Sequence, residues 1–529
     1  MYKKFFLKNY FAIFILFFLL FGSSILKNYG YAWDNGIHRL IGFINLKYIS
    51  KTFSLYPVIE KKVPRVKNIP DIEDHPRHKF YGSILTLPSA VIEIVSGLTK
   101  NEPDKKNNEK IYYLSCFLSF SIYCLALFFF NKTLIFLTKN KILSFLGTIF
   151  LILTPRIFAE SFYNITDIFL LSLVIITNYF FLKYLSKPKK KNLYLTCLFC
   201  SFCIITRVST GIIAVVFLLV YLLKYINKEI DIKNLLITNF RFFLFICLFY
   251  YIFFPYLWKD PFNFFVLINE MSNFTWNGKI LYFGETYFGK EAPGLYQIVM
   301  FFFTTPLAYI IIFSIFFSLW TYFVLKKKIK LNYFTFFIIF CFFSIFLISI
   351  FFQQTKYNGW RHIYFVYVYF VTLTFITISE VSKLESFIKF KKFIYFVLIL
   401  ILFQNLYWIS KNHPNQYAYF NNLMNNYHKN FDIDWWGISN KEAIKFIDLI
   451  DKRNQIYIFS NGPSLRNTTA RLLNGDESKF KITKKENDAN YIIDNSFRLN
   501  SKKNYKKFYP IVYQIKTDNT IISTIYKVK

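Results

Sequence analysis

The stretch NYFAIFILFFLLFGSSILKNYGYAWDNGIHRLIG, residues 9–42, joins an apolar run to a group of charged side chains. About 20 consecutive apolar residues cross a bilayer as a helix, and residues 9–26 form such a run. The run has no small-residue cleavage site and further apolar runs follow, so we expect a retained transmembrane helix and not a removed signal peptide. Asp34, His38 and Arg39 come directly after it.

The composition indicates a membrane protein that crosses the bilayer many times. Of the 529 residues, 55% are hydrophobic and 22% are aromatic, and apolar runs recur as far as residue 410. A soluble protein would bury a core without needing repeated runs of this length. We therefore predict an α-helical polytopic membrane protein with about 11 transmembrane helices, over residues 9–27, 111–131, 142–154, 166–184, 193–206, 208–224, 235–256, 298–325, 331–352, 362–380 and 393–410.

The formal net charge of +34 is explained by lysine blocks between the apolar runs. With the amino terminus in the cytoplasm, the inner loops include SKPKKKN (186–192) and KKKIK (326–330), as the positive-inside rule requires. The basic residues therefore indicate topology, and no nucleic-acid partner is predicted. The six histidines lie in or beside the segments that then face the outer side: 28–110, 155–165, 257–297, 353–361 and everything after 410.

The seven cysteines lie inside apolar runs. Cys197, Cys200 and Cys203 have a spacing that resembles a metal site, but no polar residues accompany them. Buried free cysteines behave as small hydrophobic residues, so neither a metal nor a disulfide is predicted here.

Residues 411–529 differ in composition from the rest of the chain. NKEAIKFIDLI has helical spacing, while NQIYIFS, ANYIIDN and the carboxy-terminal segment have strand patterns, the last with a hairpin turn near Asp518 and Asn519. We expect a small outer-side α/β domain at 411–529, beside a transmembrane domain at 1–410 that includes the outer loop 28–110.

Asp34 begins a predicted amphipathic helix that lies in the membrane interface. Two interpretations are open: Asp34 caps the amino terminus of this helix, or it is a catalytic carboxylate at the boundary of water and lipid. His38 is four residues further on and shares a helix face with Asp34.

Residues 71–82, DIEDHPRHKFYG, bring His75 and His78 close to three carboxylates. Such a set could hold a metal, although the spacing matches no strong metal motif and a solvated loop is the alternative. No metal ligand is assigned and no cofactor is certain, but a divalent metal remains open.

Residues 154–171, TPRIFAESFYNITDIFLL, carry three more candidates. Arg156 and Glu160 are spaced i, i+4, which fits either a local ion pair or a site. Asp167 lies at the start of an apolar helix, where a carboxylate is costly in lipid and is a functional candidate, with capping as the rival interpretation.

Basic residues collect at two further outer helix ends. Arg207 lies between two apolar runs and either reaches the interface or grips a phosphate, for which its planar fork suits it. Lys356, Arg361 and His362 lie in QQTKYNGWRHIYF (353–365), which favours anion binding. Trp360 fits the interfacial aromatic belt.

The chain resembles the GT-C superfamily of membrane glycosyltransferases, in particular the bacterial relatives of protein O-mannosyltransferases and aminoarabinose transferases. The resemblance is carried by Asp34 in the first outer loop, Asp167 in NITDI and EDHPRH (73–78) before an apolar helix. YNGWRHIYF (357–365) and the tail HPNQYAYFN…FDIDWWGIS also resemble a bacterial subgroup with an outer carboxy-terminal domain.

Two positions depart from the pattern of that superfamily. Asn35 follows Asp34 where the family often has Asp-Glu, and His75-Pro76-Arg77 replaces His-Pro-Pro. These changes affect the fine geometry and the sugar specificity that the resemblance implies.

The resemblance implies a polyprenyl-phosphate-linked sugar donor and a lipid, glycan or protein acceptor at the periplasmic face of the bacterial inner membrane, where membrane lipids are further partners. Asp34 would then be the catalytic base, and Arg207, Arg361 and Lys356 are candidates to bind phosphate. The other implied substrate-binding residues are His38, Arg39, His75, His78, Arg156, Glu160, Asp167 and His362.

Two alternatives belong to other function classes. A lipid-linked saccharide transporter or polymerase would also have many spans, but a transporter should place ionisable residues at mid-membrane rather than at helix ends. A binding or assembly protein that acts through its outer tail is the second alternative.

Overall fold

A computed structural model describes residues 2–74, 78–99, 105–274, 276–352, 355–423, 427–460, 462, 479–495, 505–518 and 520–528. Eight helices in these ranges are long and apolar enough to cross a bilayer, judged by length and composition. Their apolar segments are Asn9–Asn28, Glu109–Thr138, Asp167–Ser186, Val208–Ile226, Ile232–Phe253, Leu307–Leu325, Tyr333–Phe351 and Lys391–Lys411. The prediction of an α-helical integral membrane protein is confirmed.

The α-helices of the described chain run in the following order. They are α1 Tyr2–Ile25, α2 Asn35–Thr52, α3 Tyr56–Lys62, α4 Thr86–Val95, α5 Lys105–Thr138, α6 Lys141–Ile152, α7 Pro155–Glu160, α8 Asp167–Ser186, α9 Lys190–Thr206, α10 Gly211–Ile226, α11 Ile232–Phe253, α12 Asn263–Ser272, α13 Tyr296–Thr304, α14 Leu307–Leu325, α15 Tyr333–Phe351, α16 Val366–Val381, α17 Glu385–Ile388, α18 Lys391–Lys411, α19 Tyr427–Asn430 and α20 Asn440–Ile450.

Each predicted span coincides with helical structure, but three of these helices are not among the eight that are long and apolar enough to cross a bilayer. These are α6 with 12 residues, α9 with 17 and α16 with 16. The count of about 11 spans therefore stays a prediction. The segment predicted as one helix over 298–325 is two helices, α13 and α14, because Pro306 has no backbone N–H to continue α13 and caps α14 instead.

The buried centre of the membrane part is formed by α8 and α16. In α8, 83% of the apolar window is buried inside the protein, against 17% in α11. A helix that is apolar all round is typical of such an interior position. The first residues of α8 and the segment before α16 therefore reach the middle of the helix bundle at one end of the membrane part.

The carboxy-terminal part forms the small α/β domain predicted from the sequence. Its five-stranded sheet has the order β4-β3-β5-β7-β6, with β3 parallel to β4 and β5, and β7 antiparallel to β5 and β6. The strands are β3 Ile456–Ser460, β4 Phe480–Ile482, β5 Tyr491–Asn495, β6 Ile511–Thr517 and β7 Thr520–Lys527. A separate hairpin, β1 Lys279–Tyr282 and β2 Glu285–Phe288, lies in the loop 257–297 and was not predicted from the sequence.

Lys441 of α20 fastens the carboxy-terminal domain to the membrane part. Its Nζ donates to the carbonyl oxygens of Lys27 at 2.6 Å and Tyr29 at 3.2 Å, and to the hydroxyl of Tyr113 at 2.6 Å. Burial lowers the pKa of Lys441 to about 8. The domain is thus bonded to the segment that leads from α1 to Asp34.

Candidate active site

Four charged side chains from four distant segments meet where the helices end. Arg361 Nη2 lies 2.9 Å from Asp34 Oδ2, and Arg361 Nε lies 3.3 Å from Asp167 Oδ2. Arg207 Nη2 lies 2.6 Å from Asp167 Oδ1. We call Asp34, Arg361, Asp167 and Arg207 the four-charge cluster. Its charges alternate in sign, which compensates the cost of taking them out of water.

Asp34 occupies the capping position of α2 without acting as its cap. Its backbone is helical, with φ −80° and ψ −12°, and its side chain makes no capping hydrogen bond in the described chain. The carboxylate instead contacts Arg361 and is 23% exposed. Of the two interpretations of Asp34, the structure therefore favours a side chain that is free of a capping role.

Asp167 is the first residue of α8, and its carboxylate is fully buried. Thr166 occupies the N-cap position of α8 without a capping bond, and the capping acceptor is Asn164, two residues earlier, whose Oδ1 accepts from the backbone N–H of Asp167 at 3.0 Å and of Thr166 at 3.3 Å. Asn164 Nδ2 donates to Asp167 Oδ2 at 3.0 Å and to Glu160 Oε2 at 2.7 Å. Because Asn164 supplies the cap, the Asp167 carboxylate is available to bind two guanidinium groups.

Two titratable groups flank the cluster. Burial raises the pKa of Glu160 to about 7, against the opposing effect of its hydrogen bond with Asn164. His38 Nε2 lies 2.8 Å from Thr166 Oγ1, and burial lowers the pKa of His38, although Asp34 opposes this shift. His38 of α2 follows Asp34, and Glu160 precedes Asp167 in the chain.

The side chain of Arg207 also contacts the backbone of Arg361. Arg207 Nη1 donates to the carbonyl oxygen of Arg361 at 3.0 Å. Burial lowers the pKa of Arg207, whereas in Arg361 burial is outweighed by Asp167 and Asp34, so that its pKa is raised. Their side chains are 18% and 17% exposed, which leaves both within reach of a ligand.

Aromatic rings surround Arg361. The guanidinium carbon lies 4.0 Å from the ring centroid of Trp436 and 5.6 Å from that of Tyr357. The ring of Tyr357 packs edge-on against His362 at 4.5 Å, and burial lowers the pKa of His362 well below its usual value. Trp436 comes from the carboxy-terminal domain, so this domain contributes to the site.

The sequence-based reasoning missed Trp436, Tyr357, Asn164 and Thr166 as members of the site. Asn164 had a readable signal, because Asn is a preferred residue just before a helix start. Trp436 lies in the stretch FDIDWWGIS that carries part of the resemblance, but its contact with Arg361 was not readable because the two residues are far apart in the chain.

Three of the predicted site residues form hydrogen bonds away from the four-charge cluster. Arg39 Nε donates to Glu93 Oε2 at 3.0 Å, which ties α2 to α4. Arg156 Nε donates to the carbonyl oxygen of Tyr419 at 3.0 Å, and Lys356 Nζ donates to that of Ala292 at 3.3 Å. The substrate-binding roles of these three residues stay predictions.

The histidine-rich segment 71–78 is only partly described. His75 lies outside the described residues, and the ring of His78 packs edge-on against Tyr81 at 6.4 Å. Asp71 pairs with Lys51 at 2.8 Å, and Glu73 pairs with Lys259 at 2.9 Å. Among the side chains that the structure describes, no group of three His, Cys, Asp or Glu lies together as a metal ion would need.

Comparison with known families finds one match in the region of the site. Residues 93–268 match the family model described as dolichyl-phosphate-mannose-protein mannosyltransferase. The match confirms the resemblance to the GT-C membrane glycosyltransferases. The prediction of a glycosyltransferase is confirmed with it. Asp167 and Arg207 lie inside the matched segment, while Asp34 and Arg361 lie outside it.

Curated proteins include no match to the chain. Among solved structures, ArnT from Cupriavidus metallidurans aligns in two crystal structures, bound to undecaprenyl phosphate and in the apo state. Both alignments cover 98% of each chain at 8% identity, with TM-scores of 0.44 and 0.43.

Proposed function

We propose that this GT-C glycosyltransferase transfers a sugar from a polyprenyl-phosphate donor to an acceptor hydroxyl at the periplasmic face of the bacterial inner membrane. The observation that carries the proposal is the four-charge cluster, which brings the partly exposed carboxylate of Asp34 and the partly exposed guanidinium groups of Arg207 and Arg361 into one site. This reaction needs a base for the acceptor and positive charge for the leaving phosphate.

Asp34 is the proposed base. A general base must come within hydrogen-bond distance of the hydroxyl that it deprotonates. The side chain of Asp34 is 23% exposed and that of Asp167 is 0% exposed, so only Asp34 can meet an acceptor directly. Asp167 has a different role in this scheme, because it holds Arg207 and Arg361 in position.

Arg207 and Arg361 are the proposed phosphate ligands. A guanidinium has five N–H donors, more than the carboxylate contacts of either residue use. Phosphate oxygens match the planar fork of arginine, and a site with little water strengthens the attraction. Lys356 is a less favoured ligand because its Nζ is buried against the carbonyl of Ala292.

The proposed reaction exchanges one bond at the anomeric carbon of the sugar for another. The acceptor hydroxyl gives its proton to the Asp34 carboxylate while its oxygen forms a bond to the anomeric carbon of the sugar. The bond between this carbon and the phosphate oxygen breaks, and polyprenyl phosphate leaves with the electron pair. The developing negative charge is stabilised by the two arginines.

The periplasmic orientation is supported by the agreement of charge and chemistry. The four-charge cluster, Glu160 and Trp436 all come from, or lie at the edge of, segments that the positive-inside rule assigns to the outer side. No metal has a role in this scheme. A divalent ion bound near 71–78 is the alternative, and EDTA treatment followed by an activity assay tests it.

The experiment for the proposed function compares cells with and without the gene. Mass spectrometry of envelope glycolipids and glycoproteins should show one sugar missing from one acceptor class in the deletion strain, together with accumulation of its polyprenyl-phosphate donor. Restoration by the wild-type gene and not by an Asp34→Asn gene links the loss to this site. Unchanged glycolipids and glycoproteins would contradict the proposal.

A further inference from the structure

The carboxy-terminal domain reaches the four-charge cluster through one turn, residues 434–439. Trp436 in this turn is 4% exposed, and its ring faces the guanidinium of Arg361 at 4.0 Å. Its neighbour Trp435 packs on Gly359, where an added Cβ would come within 2.8 Å of the indole ring. The two tryptophans thus contact the segment that carries Arg361 at two points.

The same turn also contacts the segment that carries Asp34. The carbonyl oxygen of Trp436 accepts from the backbone N–H of Trp33 at 3.2 Å. Gly30 lies so close to Ile438 that an added Cβ would be 2.0 Å from its carbonyl oxygen. Both partners of the ion pair between Asp34 and Arg361 are therefore set against one short turn.

Hydrogen bonds inside the carboxy-terminal domain fix the shape of this turn. The buried carboxylate of Asp434 accepts from the backbone N–H groups of Ile438 and Ser439, each at 2.9 Å, and from Asn495 Nδ2 of β5 at 3.1 Å. Gly437 has φ +72°, which glycine adopts without strain. The sheet thereby supports the position of Trp436.

We infer that Trp436 is a positioning residue of the transferase site, which holds Arg361 in place while Asp34 changes its charge. The inference rests on the proposed function. When Asp34 accepts the acceptor proton, its attraction for Arg361 falls at the moment when the leaving phosphate needs that guanidinium. The indole face does not titrate, so its cation–π contact with Arg361 persists through the step. The outer domain is thus a part of the catalytic unit.

The test uses the full-length protein in nanodiscs and measures both transfer and the affinity for a short-chain polyprenyl phosphate. Trp436→Leu keeps apolar bulk but removes the ring face, and we expect donor kcat/KM and phosphate affinity to fall on the order of tenfold. Trp436→Phe keeps a weaker ring and should give intermediate values. If Trp436→Leu does not fold, the Trp436→Phe variant decides the question. A phosphate affinity and a kcat/KM of Trp436→Phe equal to those of the wild type would overturn the inference.

A double-mutant comparison separates positioning from general support of the fold. If Trp436 acts through Arg361, Trp436→Leu should change phosphate affinity less than about twofold in an Arg361→Gln background. An undiminished tenfold loss in that background overturns the inference.

Trp408→Leu is the matched control for docking of the outer domain. Trp408 Nε1 donates to Asp518 Oδ2 at 2.6 Å, a contact with the same domain that does not involve Arg361. We expect this variant to keep wild-type affinity and kcat/KM. A loss equal to that of Trp436→Leu would mean that the effect is loosened docking, and the inference would be wrong.

Failure of the inference and failure of the proposed function give different results. A wild-type protein that binds polyprenyl phosphate and transfers sugar, with Trp436 variants equal to it, overturns the inference alone. A wild-type protein that neither binds polyprenyl phosphate nor transfers sugar overturns both.

Discussion

Asp34 and Asp167 share the guanidinium of Arg361 but differ in what else can reach them. Asp167 is sealed among Arg207, Arg361 and Asn164, whereas Asp34 contacts Arg361 at the edge of the site. A fully buried carboxylate that binds two guanidinium groups is a structural counter-ion, and removing it leaves uncompensated charge. A carboxylate at the edge can exchange its partner for a substrate hydroxyl. This difference assigns distinct roles to two chemically identical side chains.

Asp34→Asn tests the role of the edge carboxylate. Asparagine keeps the size of the side chain and can still contact Arg361, but it cannot take a proton. We expect transfer to fall on the order of a hundredfold or more, with an unchanged thermal unfolding temperature. Asp231→Asn is the control, because Asp231 caps α11 by accepting from the backbone N–H of Asn234 at 2.7 Å. Transfer that survives Asp34→Asn would remove Asp34 as the base.

Arg207→Lys tests the proposed phosphate contact. Lysine keeps the positive charge beside Asp167 but loses the planar fork, so we expect a raised donor KM that is intermediate between wild type and Arg207→Ala. The measurement is transfer rate against donor concentration. Arg453→Lys is the control, since the guanidinium of Arg453 binds the carboxylate of Asp451 in the outer domain, with Arg453 Nε 3.0 Å from Asp451 Oδ1. Donor kinetics that stay normal in Arg207→Ala would exclude phosphate binding by Arg207.

Glu160 predicts a pH dependence of stability. Its pKa is about 7 in the folded protein and about 4.5 when unfolded, so the folded state holds the proton more tightly. Stability is therefore lost as pH rises from about 4.5 to about 7, by about 1.4 kcal/mol per pKa unit. Glu160→Gln keeps an acceptor for Asn164 without a charge. Its gain in unfolding temperature over wild type should grow between pH 5 and pH 7, and a constant difference would contradict the prediction.

The helix starts show how much of the site is readable from sequence. Asp34, Asp167, Arg207 and Arg361 were all identified because a charge beside an apolar run is costly and stands out. Their mutual contacts were not identified, because each pair joins residues that are remote in the chain. The same reason explains the missed indole of Trp436. Spans were located well by apolar runs, while the break at Pro306 was overlooked although proline ends helices.

Asn164→Asp tests the contribution of the Asn164 side chain to the start of α8. Aspartate caps a helix as well as asparagine does, but it loses the two N–H bonds to Glu160 and Asp167 and adds a third carboxylate. We expect a clearly lower unfolding temperature at pH 7, with part of the loss recovered at pH 5, where a carboxylate of the group gains a proton. Asn332→Asp is the control, since Asn332 caps α15 by accepting from the backbone N–H of Thr335 at 2.9 Å. Equal effects in both variants would mean that capping alone is involved.

At the scale of the whole molecule, α8 runs from the four-charge cluster at Asp167 to the lysine block that follows Ser186. The ends of the helices that meet at the four-charge cluster are covered by the carboxy-terminal domain, which Lys441 bonds to the carbonyls of Lys27 and Tyr29. In the proposed scheme, a lipid-borne donor approaches the cluster from the bilayer and an acceptor approaches it from the water phase. The short lysine blocks predict, by the positive-inside rule, the orientation that this scheme needs.

Cysteine labelling tests that orientation directly. In a Cys247→Ser background, which removes the cysteine that the structure shows as exposed, Asn454→Cys places a thiol on the surface of the outer domain. Lys189→Cys places one on the surface between α8 and α9, in a loop assigned to the cytoplasm. An impermeant maleimide added to intact spheroplasts should label Asn454→Cys and leave Lys189→Cys unlabelled until the membrane is opened. Both thiols lie outside the spans and should be labelled equally once the membrane is opened. Equal labelling then shows that burial of a thiol does not explain a difference seen in intact spheroplasts. The reverse pattern would place the four-charge cluster on the cytoplasmic side, and the periplasmic transfer proposed here would be wrong even if the chemistry at Asp34 were right.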